Sequence, residues 1–217
     1  MTFEEQYFAR HYGTHGRNTT RKLRWYVRTA LRRVDARPIR HLDVGCGLGD
    51  FVAFTSSLPE FVSHGTDVSE HAIAIARQKT PDAQFRASAA DAQPWDPNTF
   101  DLVTILDVLE HLPDPDQAMI SAGTMLDENG VFIAVVPVYD GASGPIIKLL
   151  DHDATHINRW GRAAWLNLIG QYFDVLDWTG VFRYGIPRGP YLHFPTRLLR
   201  YHSPAILVIG RKKAVPE

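Results

Sequence analysis

The sequence predicts an α/β fold, a mostly parallel sheet with helices on both faces, and three observations point to it. From residue 38 onward, short β-branched or apolar runs alternate with helix-patterned stretches, as they do when strands are joined by crossover helices. The stretch "HLDVGCGLGD", His41 to Asp50, places three glycines directly after the first apolar run. An acid, Asp67, closes the next run, where a sheet of this kind presents side chains to a ligand.

A chain of 217 residues suits a single core, with 45% apolar and 22% charged residues, near the averages for folded globular proteins. This argues against a disordered, fibrous or repeat architecture. A formal net charge of −1 gives no general field for nucleic acid. The single cysteine, Cys46, excludes a disulfide framework within the chain and fits a reducing compartment. The start "MTFEEQYFARHYG" has acids where a secretion signal needs positive charge, and no apolar stretch is long enough to span a membrane, so the expectation is a soluble cytoplasmic protein.

Taken in order, residues 1–36 precede the first strand and read as one or two helices that fold as a lid over the carboxyl edge of the sheet. Within them "RNTTRKLRWYVRTALRR", Arg17 to Arg33, carries seven Lys or Arg and no acid, with Leu23, Tyr26, Val27 and Leu31 at helical spacing. Its basic face reads either as solvated or as meeting an anionic partner. Strands follow near Ile39–Val44, Val62–Asp67, Ala83–Ala87, Asp101–Leu106 and Val131–Val136. Between them lie helices at Phe51–Leu58, at "HAIAIARQK" with Ser69 as N-cap and Pro81 as stop, and at Pro115–Leu126. A helix near Gly161–Ile169 and two strands, "FDVLDWTGVF" and "AILVIGRKK", complete the chain. Prolines and aromatics in "RYGIPRGPYLHFPTRLLRYHSP" mark an elaborated loop rather than a hairpin between those two strands. The divisions are 1–36 as helical cap, 37–137 as cofactor-binding core and 138–217 as substrate-side elements and last strands.

Glycines at the end of a parallel strand let a ligand approach the main chain with no Cβ in the way. The spacing here is G-x-G-x-G, and Asp50 stands where a dinucleotide fingerprint has its last glycine, so a nicotinamide cofactor is disfavoured. Asp67 has the position from which a carboxylate accepts both hydroxyls of a ribose. With a separate N-cap in Ser69, it has no evident structural role. Asp91 in "ASAADAQPW" follows the third strand, within reach of an adenine amino group or placed to cap a helix. Asp43 in the first strand lies where an amine could be neutralised, or where it could hold the turn together.

"HLDVGCGLGDF", "GTDVSE", "AADAQPW" and "FDLVTILDVLEHLPDP", in that order, resemble the class I S-adenosylmethionine-dependent methyltransferases, especially the branch with the ubiquinone-biosynthesis O-methyltransferases. The likeness covers about residues 38–137, with a weaker echo in "DHDATHINRWGRAAWLNLIGQYF". It implies a Rossmann-like methyltransferase fold with a seven-stranded sheet, and S-adenosylmethionine as methyl donor. By this resemblance Gly45, Gly47 and Gly49 line the methionine part of the donor, Asp67 takes its ribose hydroxyls and Asp91 its adenine amino group, with Asp43, Cys46, Val68 and Ala92 also among the donor-binding residues. Leu106 and Asp107 border the donor at the end of the fourth strand.

Methyl transfer from a sulfonium is an in-line displacement in which positioning dominates, and a hydroxyl acceptor adds the need for a base. Among ten histidines, His156 in "DATHINRW" and His111 in "DVLEHLP" fall where the acceptor belongs. His156 is the first candidate, on the family echo in "THIN". In the quinone-biosynthesis relatives the pattern formed by Asp107, Glu110 and His111 is associated with a divalent metal; the structural alternative is that Glu110 and His111 begin a helix. The acceptor side is assigned to Tyr7 and Tyr12, the loop Tyr139–Arg159 and the insert Tyr184–Pro204. There Tyr184, Tyr191, Phe194 and Tyr201 with Arg188, Arg197 and Arg200 either suit an amphipathic or anionic acceptor or pack the insert onto the sheet.

The reading with most support is methylation of a small molecule at a hydroxyl oxygen, by a monomer or homodimer with no membrane span and no nucleic-acid partner. RNA or protein methylation, small-molecule N-methylation and a donor-binding domain without catalysis stay open. The fourth strand lacks an N-P-P-Y type motif, which disfavours base and side-chain amide methylation.

Overall fold

The computed structural model describes residues 20–141, 144–151, 153–185 and 191–213. Helix α1 (Thr20–Leu31) turns Leu23, Tyr26, Val27 and Ala30 inward at helical spacing and leaves Arg21, Arg24 and Arg28 outside that buried face. The buried face packs with Ile39, Leu102, Val131, Val135 and Leu207, which belong to one face of the sheet. The described part of the N-terminal segment is therefore a layer of the core. The lid expected there is not formed by it, because its apolar stripe is satisfied only against the sheet.

The strands are β1 (Ile39–Val44), β2 (Phe61–Asp67), β3 (Gln84–Ala87), β4 (Phe100–Leu106), β5 (Leu126–Pro137), β6 (Phe173–Gly185), β7 (Tyr191–Thr196) and β8 (Ala205–Lys212). They form one sheet in the order β3-β2-β1-β4-β5-β8-β6-β7. Pairs from β3 through β5 are parallel, and β8 lies antiparallel between β5 and β6. The order reverses between β1 and β4, which places a ligand crevice above the carboxyl ends of those two strands.

Helices α2 (Asp50–Ser56) and α3 (Glu70–Lys79) follow β1 and β2, and α4 (Pro115–Met125) precedes β5. A short helix α5 (Gly144–Leu150) and α6 (Arg162–Tyr172) come before β6. Ser69 caps α3 as expected, its hydroxyl accepting from the Ala72 amide at 3.1 Å. On the second face α4 and α6 cover β4, β5 and β8, with Phe132 and Phe173 stacked 4.3 Å apart and Trp165 fully buried.

The sheet has eight strands, one more than the resemblance implies. The extra strand is β7, cut from the stretch read as a loop, and it pairs antiparallel with β6 from Gly180–Thr196 to Gly185–Tyr191. Pro195 is tolerated because β7 is the edge strand. Pro137, Ala205 and Val181 mark one level across β5, β8 and β6, and beyond it Phe182–Gly185 pair with β7 alone. The β6–β7 hairpin thus projects past the carboxyl ends of the central strands, over the crevice.

Candidate active site

After β1 the chain turns through Gly45, Gly47 and Gly49, all with positive φ of 74°, 52° and 74°. A Cβ at Gly45 would lie 2.3 Å from a Val108 methyl carbon and one at Gly49 would lie 2.8 Å from the Ala76 Cβ, so the turn is pressed between two layers. The Gly45 and Cys46 amides donate to the Thr66 carbonyl at 2.7 and 2.8 Å. The Cys46 side chain turns into the core with Val52, Ile73 and Phe85, and burial pushes its thiol up. Cys46 therefore offers the site only main chain.

Asp67, at the end of β2, accepts from the Gly47 amide at 2.8 Å and from the Ser69 amide at 3.0 Å. Contrary to the expectation from its position in the chain, it has a structural role, tying the glycine turn to the start of α3. Beside it Val68 is 77% exposed, an apolar side chain left at the rim of the crevice. Asp91 and Ala92 are exposed in the turns after β3, and no helix follows them, which removes the capping alternative for Asp91. Leu106 is half-buried at the end of β4.

Asp43 is buried, and its Oδ1 accepts from the Thr104 hydroxyl at 2.6 Å. Its carboxyl is pushed up to about 7, chiefly by burial and further by Asp67, against the opposing pull of the Thr104 hydrogen bond and the Lys22 charge. Lys22 is itself buried, with Nζ 5.7 Å from the centre of the Tyr26 ring.

On the other side of the crevice Asp107 adopts a positive φ of 59° and pairs with Arg183, carried there by the overhanging part of β6. Opposite Arg183 on β7, His193 is buried against the rings of Trp25 and Tyr26, and its Nε2 has no hydrogen-bond partner among the described residues. Burial, with the Lys22 and Arg183 charges, lowers its imidazole to about 4.

The two histidines singled out from the sequence come together, their rings 4.7 Å apart. Glu110 and His111 lie in a 3-10 turn (Leu109–His111) rather than at a helix start, since α4 begins at Pro115 behind the Asp114 cap. The turn is locked to the segment after α5: the Ile157 and Asn158 amides donate to the Glu110 carbonyl at 3.0 Å, and the Asn158 side chain donates to the Leu109 and Leu112 carbonyls. His111 Nδ1 lies 2.9 Å from the Thr155 hydroxyl and 3.1 Å from its carbonyl. His156 Nδ1 lies 2.9 Å from Asp151 Oδ2, which also accepts the Tyr139 hydroxyl at 2.6 Å. Burial opposes charge on Asp151, but the hydrogen bonds from Tyr139 and His156 hold its carboxyl below the usual range. Burial pushes the Tyr139 hydroxyl up and moves His111 down.

His156 Nε2 is 4.0 Å from Glu110 Oε1 and 3.8 Å from Asp153 Oδ2. Glu110 is almost fully buried, its Oε2 has no hydrogen-bond partner among the described residues, and burial together with Asp107 pushes its carboxyl well up. One ligand atom each from Glu110, His111 and His156 lies within 4.8 Å of the others. The cluster that suits a metal is thus not the triple read from the sequence: Asp107 is turned to Arg183, and His156 takes its place.

The insert behaves differently from the rest of the acceptor side. Arg197 pairs with Asp177, Arg200 lies 4.3 Å from the Trp178 ring, and Phe194 and Tyr201 are largely exposed. These two arginines pack the insert onto the sheet. Tyr7, Tyr12 and Arg188, and the side chains of Tyr184 and Tyr191, lie outside the described residues. Lys22, Asp151, Arg183 and His193 are site residues that the sequence does not single out. Only Asp151 carries a local signal, in the acid-rich "DHDATH".

The sheet order, the glycine turn and the acid at the end of β2 define the α/β Rossmann-like methyltransferase fold. Residues 42–132 match the family model described as a methyltransferase domain. The chain is similar to a ubiquinone biosynthesis O-methyltransferase of Thiobacillus denitrificans, 36% identical over 110 residues, 46% of this chain and 47% of the relative. One of the same description from Albidiferax ferrireducens is 32% identical over 95 residues, 41% of this chain and 37% of the relative. The chain therefore spans less than half the length of these relatives. Among solved structures it superposes on a chain of the Haloferax volcanii complex containing the Trm112 methyltransferase activator, with TM-score 0.72, 20% identity and 98% and 97% coverage. A Pyrococcus horikoshii protein gives 0.71, 19% identity and 96% and 99% coverage. No helix among the described residues is long and apolar enough to cross a membrane.

Proposed function

We propose that this chain is an S-adenosylmethionine-dependent methyltransferase acting on a hydroxyl oxygen of a small molecule. The single observation that carries the hydroxyl assignment is the pairing of His156 Nδ1 with Asp151 at 2.9 Å, which leaves Nε2 as the basic atom beside the ends of β4 and β5. In this reading the acceptor oxygen attacks the methyl carbon as the carbon–sulfur bond breaks and its electron pair returns to sulfur. His156 Nε2 takes the hydroxyl proton, and Asp151 stabilises the imidazolium.

Gly45, Gly47 and Gly49 admit the methionine part to the main chain, and Asp43 faces its ammonium. Asp67, at the end of β2, takes the ribose hydroxyls. Val68, Asp91 and Ala92 border the adenine, and Leu106 and Asp107 close the crevice on the β4 side. The test is a turnover screen with S-adenosylmethionine against sugars, nucleotide sugars, phenols, amines and RNA, reading S-adenosylhomocysteine release. Product with a hydroxyl acceptor supports the proposal. Methylation confined to amines or RNA overturns the hydroxyl assignment, and failure to bind the donor overturns the class.

A second reading rests on Glu110, His111 and His156. Their donor set suits a divalent metal, because both imidazoles engage Nδ1 and keep Nε2 available, and the buried Glu110 Oε2 lacks a partner. A metal there would supply Lewis acidity to the acceptor hydroxyl. In that case His156 is a ligand rather than a base, and EDTA abolishes turnover that added divalent metal restores.

A further inference from the structure

Beneath the donor crevice a chain of buried polar side chains crosses from α2 to β1 and β4. The Ser63 hydroxyl donates to Thr55 Oγ1 at 2.8 Å, and Thr55 Oγ1 lies 3.4 Å from His41 Nδ1. His41 Nε2 lies 2.9 Å from Thr104 Oγ1, and Thr104 lies 2.6 Å from Asp43 Oδ1. His41, Thr55 and Thr104 are each no more than 2% exposed in an otherwise apolar layer. Side chains of this kind are not required for packing there, and each must be hydrogen-bonded to be tolerated.

Proton accounting gives the chain one direction. Thr104 has a single hydroxyl proton, and the short contact with a carboxylate oxygen takes it. Toward His41, Thr104 therefore accepts, so His41 carries its proton on Nε2. Burial keeps that imidazole neutral, moving it down to about 3, with His64 as the nearest like charge. The His41 Nε2–H and the Thr104 hydroxyl thus both point toward Asp43, whereas the Thr55 hydroxyl, 3.1 Å from the Phe51 and Val52 carbonyls, gives its proton there. Asp43 Oδ2 has no hydrogen-bond partner among the described residues, which leaves that oxygen for a ligand.

We propose that Thr104 and His41 are positioning residues for Asp43, a relay that holds its carboxylate as the anion and reserves Oδ2 for the ammonium group of the methyl donor. The donor part rests on the reading given under Proposed function; the relay itself does not. The groups that face Asp43 are Thr104 from β4, Asp67 from β2, the Cys46 thiol from the turn and Lys22 from α1. Those facing His41 are Thr55 from α2, Thr104 from β4 and His64 from β2. Burial and, less, Asp67 oppose the anion, and Thr104 is the largest of the groups that favour it, ahead of Lys22.

The experiment uses the full chain without donor and follows the Asp43 carboxyl carbon by carbon-13 NMR across pH, with Thr104→Val and Thr104→Ser compared at matched thermal stability. The valine variant removes the hydrogen bond to the anion and is expected to raise the midpoint by about one pH unit or more, while serine leaves it within about 0.3. An unchanged midpoint in the valine variant, or equal shifts in both, overturns the relay. His41→Leu, which keeps the Thr104 hydroxyl, is expected to shift the midpoint in the same direction by less; no shift removes His41 from the proposal. S-adenosylhomocysteine affinity measured by calorimetry is then expected to rise with pH along each variant's own midpoint. Affinity that ignores the midpoint overturns the positioning role. Absence of binding by the unmodified chain at every pH defeats the donor reading, and the NMR result still decides the relay.

Discussion

The two sides of the crevice are built on different principles. The side from β1 to β3, proposed for the donor, is a close-packed turn braced by main-chain hydrogen bonds, and Asp67, proposed to meet the ribose, is itself one of the braces. The side proposed for the acceptor gathers side chains from the 3-10 turn, the segment after α5 and the β6–β7 hairpin, and leaves Glu110 Oε2 and His193 Nε2 buried without hydrogen-bond partners among the described residues. A common donor needs a rigid main-chain mould, whereas an acceptor is met by polar groups whose hydrogen bonds are completed when it binds.

The largest test of this contrast is Gly45→Ala. A Cβ there meets Val108 in a left-handed backbone, so a loss of about 2–4 kcal/mol in thermal unfolding is expected, with loss of donor binding. A tolerated alanine would mean that the mould is softer than its packing shows. Next, on the proposed base role, His156→Ala is expected to lower turnover by about 10²–10⁴-fold while donor affinity by calorimetry stays within about twofold, since a base in that role touches only the acceptor. Equal losses in both would merge the two sides. Asp67→Ala is expected to raise the donor dissociation constant about tenfold or more and to cost about 1 kcal/mol of stability through the Gly47 and Ser69 amides.

A smaller effect concerns pH. The folded state lowers His41 from 6.5 to about 3, so between those values the unfolded chain binds a proton that the folded chain refuses. His41 therefore makes stability fall as pH drops through that window, and Asp43, raised from 3.8 to about 7, acts in the opposite direction. Thermal unfolding of His41→Gln is expected to lose acid sensitivity relative to the unmodified chain; an identical profile would show that other groups dominate. The smallest expected effect is Arg197→Ala, whose exposed pair with Asp177 contributes within about 0.5 kcal/mol and leaves turnover unchanged. A changed acceptor KM would return the insert to the acceptor site.

The strands through β5, the glycine turn and the Ser69 cap are legible in the sequence because each is a local signal: alternation, backbone freedom, one capping hydroxyl. Asp67 is found by its place at a strand end, but its hydrogen bonds to Gly47 and Ser69 are not, since they depend on how two loops meet. His111 and His156 both stand out in the sequence without sign that they touch, because His111 and Thr155, the neighbour of His156, are 44 positions apart in the chain while 2.9 Å separates their side chains. β7 is hidden by proline and aromatics that read as loop chemistry until an edge position makes them permissible.

By itself the sequence determined the fold class, the glycine turn after β1 and the acids at the strand ends, because these depend on neighbours within a few residues. Only the tertiary structure decided that Asp107 belongs to Arg183, that His156 stands with Glu110 and Asp151, and that His41 reaches Asp43 through Thr104. Those pairings join strands, turns and a hairpin remote in sequence, and their hydrogen-bond partners are chosen only when the sheet brings them within about 3 Å of one another.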